Sequence, residues 1–454
     1  RRWQGGSWLV VDYGDMVNAV DRGLRVLFQW LGTGSPVLIP DTVAVEVIIP
    51  SLVEQINAHL NSLVSAPVRG LDLWCGSARL ALSSGTDTAL LARLRHRVRQ
   101  GQALPPKLWH SLEVLGPAAR NALCVRPVRG AVGCSPAATA AWLDGQSAQD
   151  AVRYLEAVQR RSAGPVPGVT PITVFERVWV LAALLGAGLR VQLPPGLVGG
   201  LHAACGEFGA SAGAGLPPDA DDTAGLVWVL AQLGSPRSVQ SLWAYDAGTH
   251  FNCFLGERNF STSTNAHVLQ ALGAYLKHDN FRYCRYQAVM DRIADWLQEC
   301  QEAEGNWWDK WHASPYYATA SCAVALHKYS RGRSLNVVTK AVEWVLDSQR
   351  EDGSWGRWGG TYEETAYAMQ TLLRTSVTRS DGAIEQTVAR GCAFLLKSRD
   401  DQNYSPLWHD KDLYAPHRVV RAEGIAALHL AYANAEVVIR TRRECAKPEA
   451  KPAS

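Results

Sequence analysis

Gln301-Glu302-Ala303-Glu304-Gly305-Asn306-Trp307 and Gln349-Arg350-Glu351-Asp352-Gly353-Ser354-Trp355 spell one pattern twice, Q-x-x-x-G-x-W. Each copy is followed by a stretch rich in Ala and Tyr with helical spacing. The glycine permits a left-handed turn, the glutamine amide can bridge that loop to the end of a neighbouring helix, and the tryptophan covers it. Helix pairs repeated around a fixed glycine turn predict a toroid of α-hairpins. A third trace, Gly6-Ser7-Trp8, lacks the glutamine. Thr361-Tyr362-Glu363-Glu364 reads as a capping box that opens the helix after the second copy.

Outward from these repeats, helical periodicity dominates. Leu226, Val229, Leu230 and Leu233 make one apolar face, and Val268, Leu269, Leu272 and Leu276 another. Alternating strand patterns are rare, so the fold class is all-α, with helices of about 10 to 18 residues. A Gly/Pro-rich break at 162–168 precedes a strong helix over 174–188, and Leu193-Pro194-Pro195-Gly196 follows it. The domain boundary is placed there, giving domains 1–190 and 191–443 and a disordered tail 444–454 without apolar periodicity.

The 454 residues are 47% hydrophobic and 19% charged, with 17 Trp and 14 Tyr against 8 Phe. So much aromatic surface must be buried or line a cavity. The net charge of +3 is scattered, which sets nucleic acid aside as a partner. Ten cysteines without CxxC or Cys/His ligand spacing read as reduced thiols and favour the cytoplasm. No run reaches the roughly 18 apolar residues of a membrane span. The chain begins at Arg1-Arg2-Trp3 with neither an initiator Met nor a signal-peptide pattern, from which missing upstream sequence is expected.

Asp219-Ala220-Asp221-Asp222 stands between Pro217-Pro218 and the amphipathic segment 225–233. On one reading Asp219 is an N-cap and the other two aspartates occupy the first turn, where the helix dipole favours negative charge. On the other, three crowded carboxylates cannot all ionise cheaply, so a proton is retained near neutral pH despite a reference pKa of about 3.9. An acid kept undissociated can protonate an alkene. Aromatic faces then stabilise the cation by about 0.5 to 2 kcal/mol each and add no nucleophile. The cluster alone leaves both readings open.

With further blocks, the cluster resembles bacterial class II terpene cyclases, relatives of copalyl diphosphate synthases and, more distantly, of squalene-hopene cyclase. The blocks are Pro218 to Ala224, the two Q-x-x-x-G-x-W repeats, Pro171 to Trp179 (PITVFERVW), Lys107 to Glu113 (KLWHSLE) and Trp408 to Tyr414 (WHDKDLY). The resemblance spans nearly the whole chain. It implies two α/α-barrel domains, γ-like over 1–190, with the first residues candidates for the β domain, and β-like over 191–443. It makes Asp221 the general acid, tuned by Asp219 and Asp222. It gives Asn265, in Ser261-Thr262-Ser263-Thr264-Asn265-Ala266-His267, the hydrogen bond to the acid.

Asp41 and Glu46 resemble the D-x-x-x-x-E variant that binds Mg²⁺ and diphosphate, and Lys411 is a weaker candidate for the phosphate oxygens. His110 matches the histidine of a His/Asn base dyad, but the Asn position is Ala163, so the dyad is incomplete. The implied reaction is protonation-initiated cyclisation of geranylgeranyl diphosphate to a copalyl-type bicyclic diphosphate with the diphosphate retained. The DDxxD and NSE motifs of class I synthases are absent from the sequence. Farnesyl diphosphate cyclised to a drimenyl-type diphosphate is the alternative, and a non-catalytic, partner-binding α-toroid a distant one.

Overall fold

Gly305 and Gly353 occupy left-handed backbone, at φ +104° and +87°. A Cβ there would come within 2.6 Å of the Lys340 carbonyl oxygen, or 2.7 Å of that of Arg390. Gln301 Nε2 donates to the carbonyls of Gly305 (2.7 Å) and Val337 (2.8 Å), and Gln349 Nε2 to those of Gly353 (2.9 Å) and Thr387 (2.8 Å). Trp307 and Trp355 are fully buried, and their indole N–H groups donate to Leu297 and Val345 oxygens at 2.7 Å. Each repeat therefore staples one α-hairpin to the next, as its residue types predict.

The computed structural model describes residues 13–32, 44–76, 79–82, 86–143, 148–162, 172–257, 259–278, 283–375, 382–399, 401, 403–411 and 413–446. Gly6-Ser7-Trp8, Asp41 and Ala163 lie outside them; of the tail expected over 444–454, Glu444 and Cys445 instead close the helix Ala435–Cys445, and 447–454 lie outside the described residues. The chain divides into two units, Arg1–Thr170 with Ala214–Leu216, and Pro171–Gly213 with Pro217–Ser454.

The first unit carries α1 (Tyr13–Gly32), α2 (Val45–Ser65), α3 (Leu90–Arg99), α4 (Pro136–Trp142), α5 (Gln149–Ser162) and the 3-10 segments Asp72–Trp74 and Pro106–Ala119. Helices α2, α3 and α4 pack on the longer 3-10 segment, around Val47, Leu91, Leu112, Leu115 and Val132.

The second unit carries α6 (Thr173–Gly186), α7 (Leu197–Ala204), α8 (Ala220–Gln232), α9 (Thr262–Tyr275), α10 (Tyr283–Glu299), α11 (Pro315–Tyr329), α12 (Leu335–Asp347), α13 (Tyr362–Arg374), α14 (Ala383–Lys397), α15 (His417–Tyr432) and α16 (Ala435–Cys445). Helix α6 packs on α8, α8 on α9, α9 on α11, α11 on α13, α13 on α15, and α15 back on α6. The ring is closed, and α10, α12 and α14 return the chain outside it. Burial follows this division. Residues 362–372 of α13 are all buried, whereas α12 buries the single stripe Val338, Ala341, Val342 and Val345.

Two sequence expectations are corrected. The unit boundary falls at Thr170–Pro171, not near residue 190, because α6 supplies a member of the ring and packs on α8 and α15. Thr361 does cap α13, accepting from Glu364 N at 3.1 Å. Glu364, however, returns its carboxylate to the Thr361 hydroxyl (2.8 Å) and to Arg357 N (2.8 Å). Among the described residues, no helix is long and apolar enough to cross a membrane.

Candidate active site

Asp219 ends an extended approach to α8, at φ −142° and ψ 166°, and its N–H donates to Ala210 O at 3.0 Å. Its Oδ1 accepts from Asp222 N at 2.7 Å, so it is the N-cap. Asp219, Asp221 and Asp222 are nevertheless only 3%, 8% and 6% exposed. The N-cap and the buried carboxylate cluster are thus one structure. Burial, with the Asp222 charge beside it, pushes the Asp219 carboxyl well above the usual aspartate range. Burial raises Asp222 too, the Asp221 charge adding to it. Asp222 Oδ1 is buried without a hydrogen-bond partner.

The hydrogen bond expected between Asn265 and Asp221 is made by His267 instead, whose Nδ1 lies 2.7 Å from Asp221 Oδ1. Asn265 is fully buried and turned to the preceding loop. Its Oδ1 accepts from Phe251 N (2.8 Å), and its Nδ2 donates to the carbonyls of Phe251 (2.9 Å) and Ser261 (2.8 Å). Residues two apart on a helix do not share a face, so only one of this pair can reach α8. Asp309, also unanticipated, pins the start of α9: its Oδ2 accepts from Ser261 Oγ (2.7 Å) and Ser263 N (3.0 Å).

Aromatic rings crowd the Asp221–His267 pair. Trp179 stands edge-on to His267 at 5.3 Å, and its indole N–H donates to the Tyr317 hydroxyl at 3.2 Å. Tyr317 packs on Trp408 (4.8 Å), His312 (5.2 Å) and Tyr367 (5.4 Å). Burial and the neighbouring Asp221 charge push the Tyr317 pKa well up, so it stays neutral. An acid beside such rings can protonate an alkene and stabilise what forms.

Residues 259–416 match the squalene-hopene cyclase C-terminal domain. An ent-copalyl diphosphate synthase from a Streptomyces species is 45% identical over 418 residues, 91% of this chain and 79% of that protein. A copalyl diphosphate synthase from Streptomyces cyslabdanicus is 42% identical over 421 residues, 91% of this chain and 78% of that one. The structure of ent-copalyl diphosphate synthase from Streptomyces platensis aligns with a TM-score of 0.86 at 43% identity, covering 94% of this chain and 84% of that one. The chain belongs to the copalyl diphosphate synthase family of class II terpene cyclases.

In this terpene cyclase the other anticipated residues fall as follows. His110 is buried in Pro106–Ala119 with Nδ1 2.6 Å from Gly133 O. Gly133, at φ +52°, lies so close that a Cβ would sit 2.5 Å from His110 N. Glu46 is exposed in the first turn of α2, and its partner Asp41 lies outside the described residues. Lys411 is half-buried in the turn between the short strands Trp408–His409 and Leu413–Tyr414. Among the described residues, no three His, Cys, Asp or Glu side chains gather as a metal site.

Proposed function

We propose that this cyclase converts geranylgeranyl diphosphate into a copalyl-type bicyclic diphosphate, protonating the distal alkene and retaining the diphosphate. The observation that carries the reading is the buried aspartate set, with Asp221 held by His267 against Trp179 and Tyr317. The names of the related synthases support the substrate and product.

Asp221 is the general acid. His267 donates from Nδ1 to Oδ1 and orients the carboxyl group, leaving Oδ2 to carry the reactive proton. Burial raises the Asp219 and Asp222 carboxyls, so a proton held on either spares the new Asp221 carboxylate an adjacent charge. The proton adds to the distal alkene, two alkenes close in turn onto the tertiary cation, and loss of a proton ends the sequence. His110 is the candidate acceptor. A carbonyl can only accept, so Nδ1 carries its proton toward Gly133 O and Nε2 is the basic nitrogen.

Asp41 and Glu46 would hold Mg²⁺, which supplies charge neutralisation at the diphosphate. A Mg²⁺ site built from one or two carboxylates plus substrate phosphate fits the exposed Glu46. Lys411 is the second candidate contact for the phosphate oxygens. None of the ten cysteines is disulfide-bonded, which supports the cytoplasm as the compartment.

The test is incubation with Mg²⁺ and either geranylgeranyl or farnesyl diphosphate, then dephosphorylation and analysis of the alcohols. A copalol-type alcohol from the wild type, and none from Asp221→Asn at unchanged helical content, is expected. A drimenol-type alcohol from farnesyl diphosphate alone would move the substrate to the shorter chain, and no turnover of either would overturn the reading.

A further inference from the structure

We infer that Glu423 returns a proton to Asp221 after each turnover, through the lumen of the helical ring and His267. The inference rests on the protonation chemistry proposed above, which creates the need for it. Each cycle takes one proton from Asp221, and the proton lost by the final cation leaves through a different acceptor. The acid therefore ends every turnover one proton short.

The ring encloses a cavity of ≈ 80 Å³ bordered by His267 and Gln270 of α9, Tyr317 and Ser321 of α11, Gln370 of α13 and Glu423 of α15. A water needs roughly 10 to 15 Å³ of such space and two or more polar partners, so this lumen has room for several. Glu423 is 8% exposed. Gln370 Nε2 donates to its carboxylate, and Arg374 Nη1 donates to Gln370 Oε1 at 3.1 Å. Arg374 and Glu363 of α13 and His267 of α9 are the charged or titratable groups that act on it. Burial lifts its pKa to about 7, so both protonation states are populated at neutral pH. His267 spans the remaining gap, bordering the cavity while its Nδ1 touches Asp221.

The transfer balances. Glu423 gives its proton to lumen water, water gives one to His267 Nε2, and the Nδ1 proton passes to Asp221. Rotation of the Asp221 carboxyl and tautomer exchange at His267 reset the pair, and the Glu423 carboxylate takes a proton from solvent. Glu423 never touches the substrate. Its role is confined to the interval between turnovers.

The test separates the first turnover from the next, using geranylgeranyl diphosphate and Mg²⁺ with wild type, Glu423→Gln and Asp221→Asn. With enzyme in excess, Glu423→Gln forms product within about twofold of the wild-type rate. With substrate in excess it releases a burst of one equivalent, and the rate then falls on the order of 100-fold. Ser321→Leu, which fills the lumen and leaves Glu423 in place, should give the same burst. Equal rates in both regimes would overturn the relay, and so would equal losses in both at an unchanged melting temperature. Activity in Asp221→Asn, or an inactive wild type, would instead overturn the proposed function.

Discussion

His267 Nδ1 lies 2.7 Å from Asp221 Oδ1, joining α9 to the first turn of α8. In the proposed reaction this bond leaves Oδ2 as the carboxylate oxygen that carries the reactive proton. His267→Phe is expected to lower kcat about 100-fold, with a smaller effect on KM. Steady-state kinetics check the split, and an unchanged kcat would remove His267 from the acid.

Asn265 gives the opposite pattern. Its three hydrogen bonds satisfy the Phe251 N–H and the carbonyls of Phe251 and Ser261, so Asn265→Ala leaves buried backbone groups unpaired. It should cost about 2 to 4 kcal/mol in denaturant unfolding. Full stability with lost activity would restore Asn265 as the tether of the acid.

Gly305→Ala places a methyl group on left-handed backbone, 2.6 Å from the Lys340 carbonyl oxygen. A loss of about 2 to 4 kcal/mol is expected by thermal unfolding. Gly356 makes a useful contrast: it too is crowded, with the Gly359 carbonyl oxygen 1.8 Å from a built Cβ, but no left-handed φ is involved.

Much of this was legible in the sequence. Gln301, Gly305 and Trp307 announced their geometry because each residue type has one inexpensive use in a tight turn. Asp219 to Asp222 left a cap and a crowded acid as open readings; the cap is made, and the burial of all three carboxylates supports the acid that is proposed. His267 was not legible, although it lies two residues from Asn265, because which of the two faces Asp221 depends on how α9 is rotated against α8. Packing sets that rotation, and no local spacing encodes it. The break at 162–168 stands beside the boundary at Thr170–Pro171, but the choice between it and the later break was hidden for the same reason. The Leu193-Pro194-Pro195-Gly196 break marks the end of a helix, whereas the unit is defined by what α6 packs against.

Glu46 is exposed on α2, so Glu46→Ala should leave the melting temperature nearly unchanged, within about 0.5 kcal/mol of stability. The Mg²⁺ concentration for half-maximal rate should rise about tenfold. A metal titration of the rate checks it, and indifference to the substitution would exclude Glu46 from the diphosphate end.

Glu423 gives stability a pH dependence. Its pKa is raised on folding from 4.5 to about 7 by burial. Its contribution is therefore fully present below pH 4.5 and lost as pH rises through 7. Glu423→Gln lacks that loss, so its stability relative to wild type should grow by about 3 kcal/mol between pH 4.5 and 8. Parallel unfolding curves at the two pH values would refute this.

The closed ring also imposes an order on synthesis. Helix α6 meets its neighbour α15 only when His417–Tyr432 has been made, so the seam that completes the barrel joins the two ring helices farthest apart along the chain. Until then the α6 face turned toward α15 stands bare on the ribosome, and a halted chain is an open arc whose two free flanks can each take up a helix from another copy.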